Sequence, residues 1–199
     1  MALTGLLLAA SAAACDSSSG GARSSASNTV ATEPAPTTTT SPYAVPAVID
    51  AAYVNRVLAG LDAAVGDVIR LVVTTRTIPP EAYDRLRALY SSADHLQLAI
   101  DGFQLDMRRG FAGYKAPPGN KRTEVTEMIM GSPTCIFARV SRDYSAVSLT
   151  ASAAVDVQWI GLRPLDRTLD PNHYNSTQWS IIYEGFPRDR SQPPNPCAS

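Results

Sequence analysis

The hydrophobic period of this chain changes once, near Thr123, and that change limits the folds open to it. Ahead of Thr123, Val54, Val57, Leu58, Leu61, Val65, Val68, Ile69 and Val72 follow the i, i+3, i+4, i+7 spacing of a helix with one buried face. Asp50 stands where an N-cap or first-turn acid belongs. Asn55, Arg56, Asp62, Asp67 and Arg70 are assigned to the polar face. Gly60 and Gly66 are expected to bend or divide this helix, and the β-branched run from Val72 to Thr75 to weaken its end. Ile78-Pro79-Pro80 stops one helix and starts the next, because proline fits a first turn and Glu81 suits the positive end of the helix dipole. Ala82, Leu86, Leu89 and Tyr90 make a short amphipathic helix. After a capping turn at Ser91 to Asp94, Leu96, Ile100, Phe103, Met107 and Phe111 share one stripe. Gly110, Gly113 and Pro117-Pro118-Gly119-Asn120 end the helical half, and Tyr114 to Arg122 reads as a solvated basic connection.

Behind Thr123 the pattern is that of strands. Val125 to Met130, Cys135 to Val140, Val155 to Leu162 and Trp179 to Phe186 alternate, or gather β-branched and aromatic residues. Arg139 and Arg142 are read as facing outward on the second, with Tyr144 to Leu149 continuing it past a break. Arg163 to Ser176 is a long loop, and the proline-rich tail from Pro187 to Ser199 is extended. Helices first and strands after is an α+β order, and strands joined by short turns pair antiparallel.

The first residues address the chain. Leu3 to Ala14 is apolar or small except for Thr4 and Ser11. About 12 helical residues reach ~18 Å, short of a ~30 Å hydrocarbon core. Leu3 to Ala14 therefore reads as the h-region of a signal peptide over residues 1–14, although no Lys or Arg precedes it. Ala12-Ala13-Ala14-Cys15 resembles the lipobox of bacterial lipoproteins, with Ala12 where that family prefers Leu. The resemblance implies cleavage before Cys15, a diacylglyceryl thioether on it, and an exported protein anchored at the outer face of the cell membrane. Ordinary secretory cleavage, leaving a free thiol, is the alternative. Residues 15–46 are Ser, Thr, Ala, Gly and Pro with few large apolar side chains. They cannot offset their ordering entropy by burial, so a disordered linker is expected, similar to Ser/Thr/Pro stalks that carry sugars. The domain is expected over residues 47–199.

With Cys15 given to lipid, Cys135 and Cys197 remain as one disulfide pair in an oxidising compartment. Two free thiols or a metal site are the alternatives, but two distant cysteines and two histidines lack ligand spacing. The formal net charge is -1 and no basic block is present, which excludes the electrostatic footprint of a nucleic-acid binder. Lys115 and Lys121 are the only lysines, a bias towards Arg that suits a high-GC actinobacterial genome.

Three helices followed by an antiparallel sheet, over Asp50 to Phe186, resemble in element order the nuclear transport factor 2-like fold. That resemblance implies a curved, cone-like sheet with a pocket against the helices. The domain is also similar to uncharacterised actinobacterial lipoproteins, which implies no activity. Pocket enzymes of the cone fold use Asp, Tyr and His at element ends, so Asp101, Tyr144, His173 and Tyr183, with Trp159, are the candidate ligand pocket. His173 lies in Asp170-Pro171-Asn172-His173-Tyr174-Asn175, a polar and aromatic cluster that is the best site candidate, yet Asp-Pro-Asn is first a turn former. His95, beside Asp94, reads as a cap or surface position. Asn175-Ser176-Thr177 matches the N-glycosylation pattern.

No Gly-X-Ser-X-Gly elbow, phosphate loop, dinucleotide fingerprint or His-Glu-X-X-His motif appears, so no catalytic residue, metal or cofactor is assigned. The expected function is a membrane-tethered envelope lipoprotein, non-enzymatic, binding a small apolar ligand or an envelope protein. A cone-fold isomerase, dehydratase or hydrolase, and an accessory subunit of an envelope transport or secretion complex, stay open as alternatives.

Overall fold

Helix α1 (Ala51–Thr75) runs along the expected stripe, and Asp50 sets its start by accepting the Tyr53 N–H at 2.7 Å. The computed structural model describes residues 41–150, 156–185 and 192–198. These lie in one unit, Thr39–Ser199. The expected leader, Cys15 and most of the expected linker lie outside the described residues. The unit begins ahead of residue 47: the Tyr53 hydroxyl donates to Tyr43 O at 3.1 Å.

Neither glycine divides α1, which is one continuous helix. Gly60 serves close packing instead: a Cβ there would lie 2.6 Å from Thr177 Cγ2 and 2.9 Å from the Tyr43 hydroxyl. The helix outlasts its β-branched end because Val72 is fully buried, and it stops at Arg76, which takes the left-handed conformation. Helix α2 (Pro80–Leu89) has Pro80 in its first turn. Helix α3 (Ala93–Arg108) is capped by Ser92, whose Oγ accepts the His95 N–H at 3.4 Å. Its stripe is only half used: Phe103 is buried, while Met107 stays exposed.

Four strands follow: β1 (Arg122–Ser132), β2 (Cys135–Asp143), β3 (Asp156–Pro164) and β4 (Trp179–Gly185). They pair antiparallel in the order β1-β2-β3-β4, behind the helices, as the α+β class requires. The sheet is open, neither closed nor strongly curled, with β1 and β4 at its edges. The implied cone is therefore not present as a closed or strongly curled sheet: the four strands stay in linear order and do not wrap β4 round to β1.

Ile136, Ala138 and Val140 of β2, Ile160 and Leu162 of β3, and Trp179 and Ile181 of β4 share one core with Val54, Leu58, Leu61 and Val68 of α1. Each fully buried Leu or Ile there contributes about 1.5–3 kcal/mol. Trp179 anchors this layer, donating from Nε1 to the Tyr53 hydroxyl at 2.8 Å.

The opposite face of the sheet is covered at one end. Cys135 to Ala138 are buried without a break, the sign of a strand covered on both sides. Phe137 and Trp159 stack there, ring centroids 5.5 Å apart. The C-terminal segment lies over them: Cys197 is bonded to Cys135, with Cα atoms 5.8 Å apart. Arg163 Nη2 donates to Pro196 O at 3.1 Å, and Pro196 Cγ comes within 2.7 Å of where a Cβ on Gly161 would stand. The disulfide expected from the sequence is present.

Three local expectations change. Strand β2 ends at Asp143, and Tyr144 to Leu149 is a turn rather than its continuation, with Val147 buried. The connection from Tyr114 to Arg122 is not simply solvated. Lys115 N donates to Val147 O at 2.8 Å and Gly119 N to Ala146 O at 2.9 Å, which carries Pro118 and Lys121 into the interior. Arg142 faces inward and is 1% exposed, whereas Arg139 faces out: three positions along a strand reverse the face. Among the described residues no helix is long and apolar enough to cross a membrane.

Candidate functional site

The inner face of the sheet is apolar at one end and polar at the other. Thr123 of β1, Arg142 of β2, Gln158 of β3 and Glu184 of β4 stand in register with that face, one from each strand. Asp62 of α1 joins them from below, Lys121 just ahead of β1, Tyr90 from the end of α2, and Tyr144 from behind β2.

Arg142 Nη1 donates to Gln158 Oε1 at 2.8 Å and, in a short ion-paired contact, to Glu184 Oε1. The Tyr90 hydroxyl donates to Glu184 Oε2 at 3.0 Å, and Gln158 Nε2 to the Tyr144 hydroxyl at 3.4 Å. Asp62 is held by Thr123, whose N–H and hydroxyl donate to its two oxygens at 2.6 and 2.9 Å. Lys121 Nζ sits between the acids, 3.7 Å from Asp62 Oδ1 and 3.7 Å from Glu184 Oε1. Arg142 Nε is buried with no hydrogen-bond partner among the described residues.

Two cations and two carboxylates cancel, and they must, since an unpaired ion in this position costs several kcal/mol. Burial opposes the Glu184 carboxylate most, yet Lys121, Arg142 and the Tyr90 hydrogen bond outweigh it and hold its pKa at about 2. For Asp62 burial wins: its carboxyl is raised above the ordinary value despite Lys121 and Thr123. Burial and the neighbouring Glu184 carboxylate push the Tyr90 phenol up, so it stays a donor. Burial opposes the charge on Arg142, but Glu184 secures it.

The network opens on two clefts. A 290 Å³ cleft between α1 and the start of β1 is lined by Asn55, Asp62, Asn120, Lys121, Thr123 and Glu124, among others. A 220 Å³ cleft is lined by Tyr90, His95, Leu98, Ala99 and Glu184. Beside it, His95 Nδ1 lies 3.1 Å from Ser92 Oγ. That serine is the α3 cap, and among the described residues no hydrogen bond joins the His95 ring to Glu184, so a nucleophile, base and orienting acid are not assembled. Among the described residues no group of three or more His, Cys, Asp and Glu is placed to hold a metal. What the arrangement offers is a set of fixed donors and acceptors.

Of the five residues expected to form a ligand pocket, none lines either of these clefts. Trp159 stacks on Phe137 on the far face of the sheet. Asp101 is exposed on α3 and accepts from Gln97 at 2.8 Å. His173 is exposed in a turn at φ 55°. The turn is self-contained: buried Asp170 accepts from Tyr174 N at 2.7 Å and Asn175 N at 3.0 Å. Tyr183 packs against His95, centroids 5.3 Å apart, and burial raises its pKa. Tyr144 alone of the five touches the network. Asn175 of the glycosylation pattern is fully buried, donating to Ala88 O at 2.9 Å and Trp179 O at 2.8 Å.

The residues missed by sequence reasoning are Asp62, Tyr90, Lys121, Arg142 and Glu184. Two left a signal. Asp62 falls four positions after Leu58 and three before Val65, on the buried face of α1, and Arg142 shares its parity with Ile136, Ala138 and Val140.

No family model, curated protein or solved structure matches the chain. Its class is defined by its own architecture: an α+β domain with an open four-stranded sheet built over an internal charge network.

Proposed function

We propose that the chain is an exported envelope protein, lipid-anchored through Cys15 at the outer face of the cell membrane, and that the unit Thr39–Ser199 is a binding domain presented on the Ser/Thr/Pro-rich linker. The observation that carries this is the Cys135–Cys197 bridge. Such bridges persist in oxidising compartments, and this one accounts for two of the three cysteines, leaving Cys15 at the lipobox-like junction. A bridge across 62 positions supports the same setting, since it restrains the unfolded chain by about 4 kcal/mol.

The apolar ligand expected from the sequence gives way to a polar one, because the larger cleft beside the network is walled mainly by charged and amide side chains. Binding, rather than turnover, is favoured by donors and acceptors that are fixed without an assembled nucleophile. Detergent-phase partitioning of the protein and its Cys15→Ala variant tests the anchor: the variant moves to the aqueous phase, and unchanged partitioning would end the proposal. Native mass spectrometry of the protein taken from its own envelope tests for a retained ligand.

A further inference from the structure

We propose that the cleft between α1 and the start of β1 binds an uncharged, hydroxyl-rich ligand the size of one sugar ring, held by Lys121, Asn55 and Asp62. This rests on the reading of the domain as a binding module. The cleft holds unused donors. The Lys121 side chain is 6% exposed, its two carboxylate partners stand at 3.7 Å, beyond hydrogen-bond length, and it makes no hydrogen bond among the described residues. An ammonium carries three donors, so this nearly buried group needs acceptor oxygens from the cleft it lines. Asn55 adds more. Its Oδ1 accepts the Val125 N–H at 2.8 Å, which fixes the amide orientation and leaves Nδ2 without a hydrogen bond among the described residues.

Charge and shape narrow the class. Lys121 and Arg122 are matched in the lining by Asp62 and Glu124, so the cleft is neutral. An anion would meet carboxylates and a cation would meet Lys121. A hydroxyl both donates and accepts, so neighbouring hydroxyls would accept from Lys121 and Asn55 while donating to the Asp62 lone pairs that Thr123 leaves free. Ala59 is the one apolar side chain of the lining, which gives no platform for a lipid chain. The volume, 290 Å³, is at the lower end for small-ligand sites and suits a single ring.

The test is a titration of the full ¹⁵N-labelled chain with a panel of methyl glycosides of hexoses, pentoses and N-acetylhexosamines, with inorganic phosphate and methylammonium as charged controls. At least one glycoside should saturably shift the Asn55, Thr123 and Val125 amides, and the controls should not. Ala59→Phe fills the cleft from an exposed helix position and removes no member of the charge network. It should weaken the glycoside at least about tenfold with an unchanged Tm. The site assignment falls if no glycoside shifts these amides, if phosphate or methylammonium does so instead, or if Ala59→Phe binds as the parent does. A partner or other ligand retained in native mass spectrometry alongside such a failure would leave the binding-module reading standing and remove only this site.

Discussion

Arg142 on β2 reaches across β3 to pair with Glu184 on β4, tying together two strands that are not neighbours in the sheet. Gln158 of β3, which accepts from the same nitrogen, fills the gap between them. Removing one member strands the other. Arg142→Met should cost about 3–5 kcal/mol in urea unfolding, because Glu184 then loses a hydrogen-bonded ion-pair partner in a largely buried position. Arg142→Met with Glu184→Leu leaves Lys121 and Asp62 balanced and should be more stable than the single variant. A double variant as damaged as the sum of both singles would show that the pair is not coupled.

Acid should loosen the fold through Glu184. Its folded pKa, about 2, lies below the ordinary 4.5, so as pH falls the unfolded chain takes up the proton first. The stability it contributes is present above 4.5 and lost as pH drops towards 2. Asp62 has the opposite sign: raised above 3.8 by burial, it withholds stability at neutral pH and returns it on protonation. Urea midpoints should therefore fall more steeply on acidification in the parent than in the Glu184→Gln variant. Parallel profiles would disprove the assignment. Asp143 and Asp166, held low by hydrogen bonds from Ser145 and Thr168, are common to both proteins and cancel in the difference.

Reduction of the Cys135–Cys197 bridge should lower stability by about 4 kcal/mol, or roughly 10 °C in Tm for a unit of this size. Trp159 lies beneath the strap and Trp179 in the main core. In a Trp179→Phe background the remaining emission should shift red on reduction; in a Trp159→Phe background it should not. Equal behaviour of the two would mean that the tail does not cover the sheet.

Two helix glycines should respond in opposite directions to alanine. Gly102→Ala in α3 meets nothing within 4 Å and should stabilise by up to about 1 kcal/mol through helix propensity. Gly60→Ala places a methyl group 2.6 Å from Thr177 Cγ2, in a buried, hydrogen-bonded segment, and should destabilise by about 1–3 kcal/mol. Thermal melts of the two single variants decide it; equal shifts would remove the packing role assigned to Gly60.

Much of the frame was legible in the chain. The Asp50 cap, the Pro79-Pro80 break, the change to strand periodicity and the cysteine pair all rest on short-range stereochemistry or on counting, and each appears in the fold. The network was legible only in part. Parity marks Arg142 as inward, and helical spacing marks Asp62, since those periods are properties of the backbone. Glu184 left no such mark: the register shift between β3 and β4 at Gly161/Leu162 resets the alternation that Trp179 and Ile181 establish. Lys121 left none either, because its burial depends on backbone bonds from Lys115 and Gly119 to a turn far along the chain.

The sequence by itself determined which segments are helix and which are strand, and their order, because each follows from neighbouring residues and backbone period. Only the tertiary structure decided that Asp62, Lys121, Arg142 and Glu184 share one interior. Their charges have to cancel where water is excluded, and that balance is struck between residues from one helix, one loop and two strands, which no local pattern records.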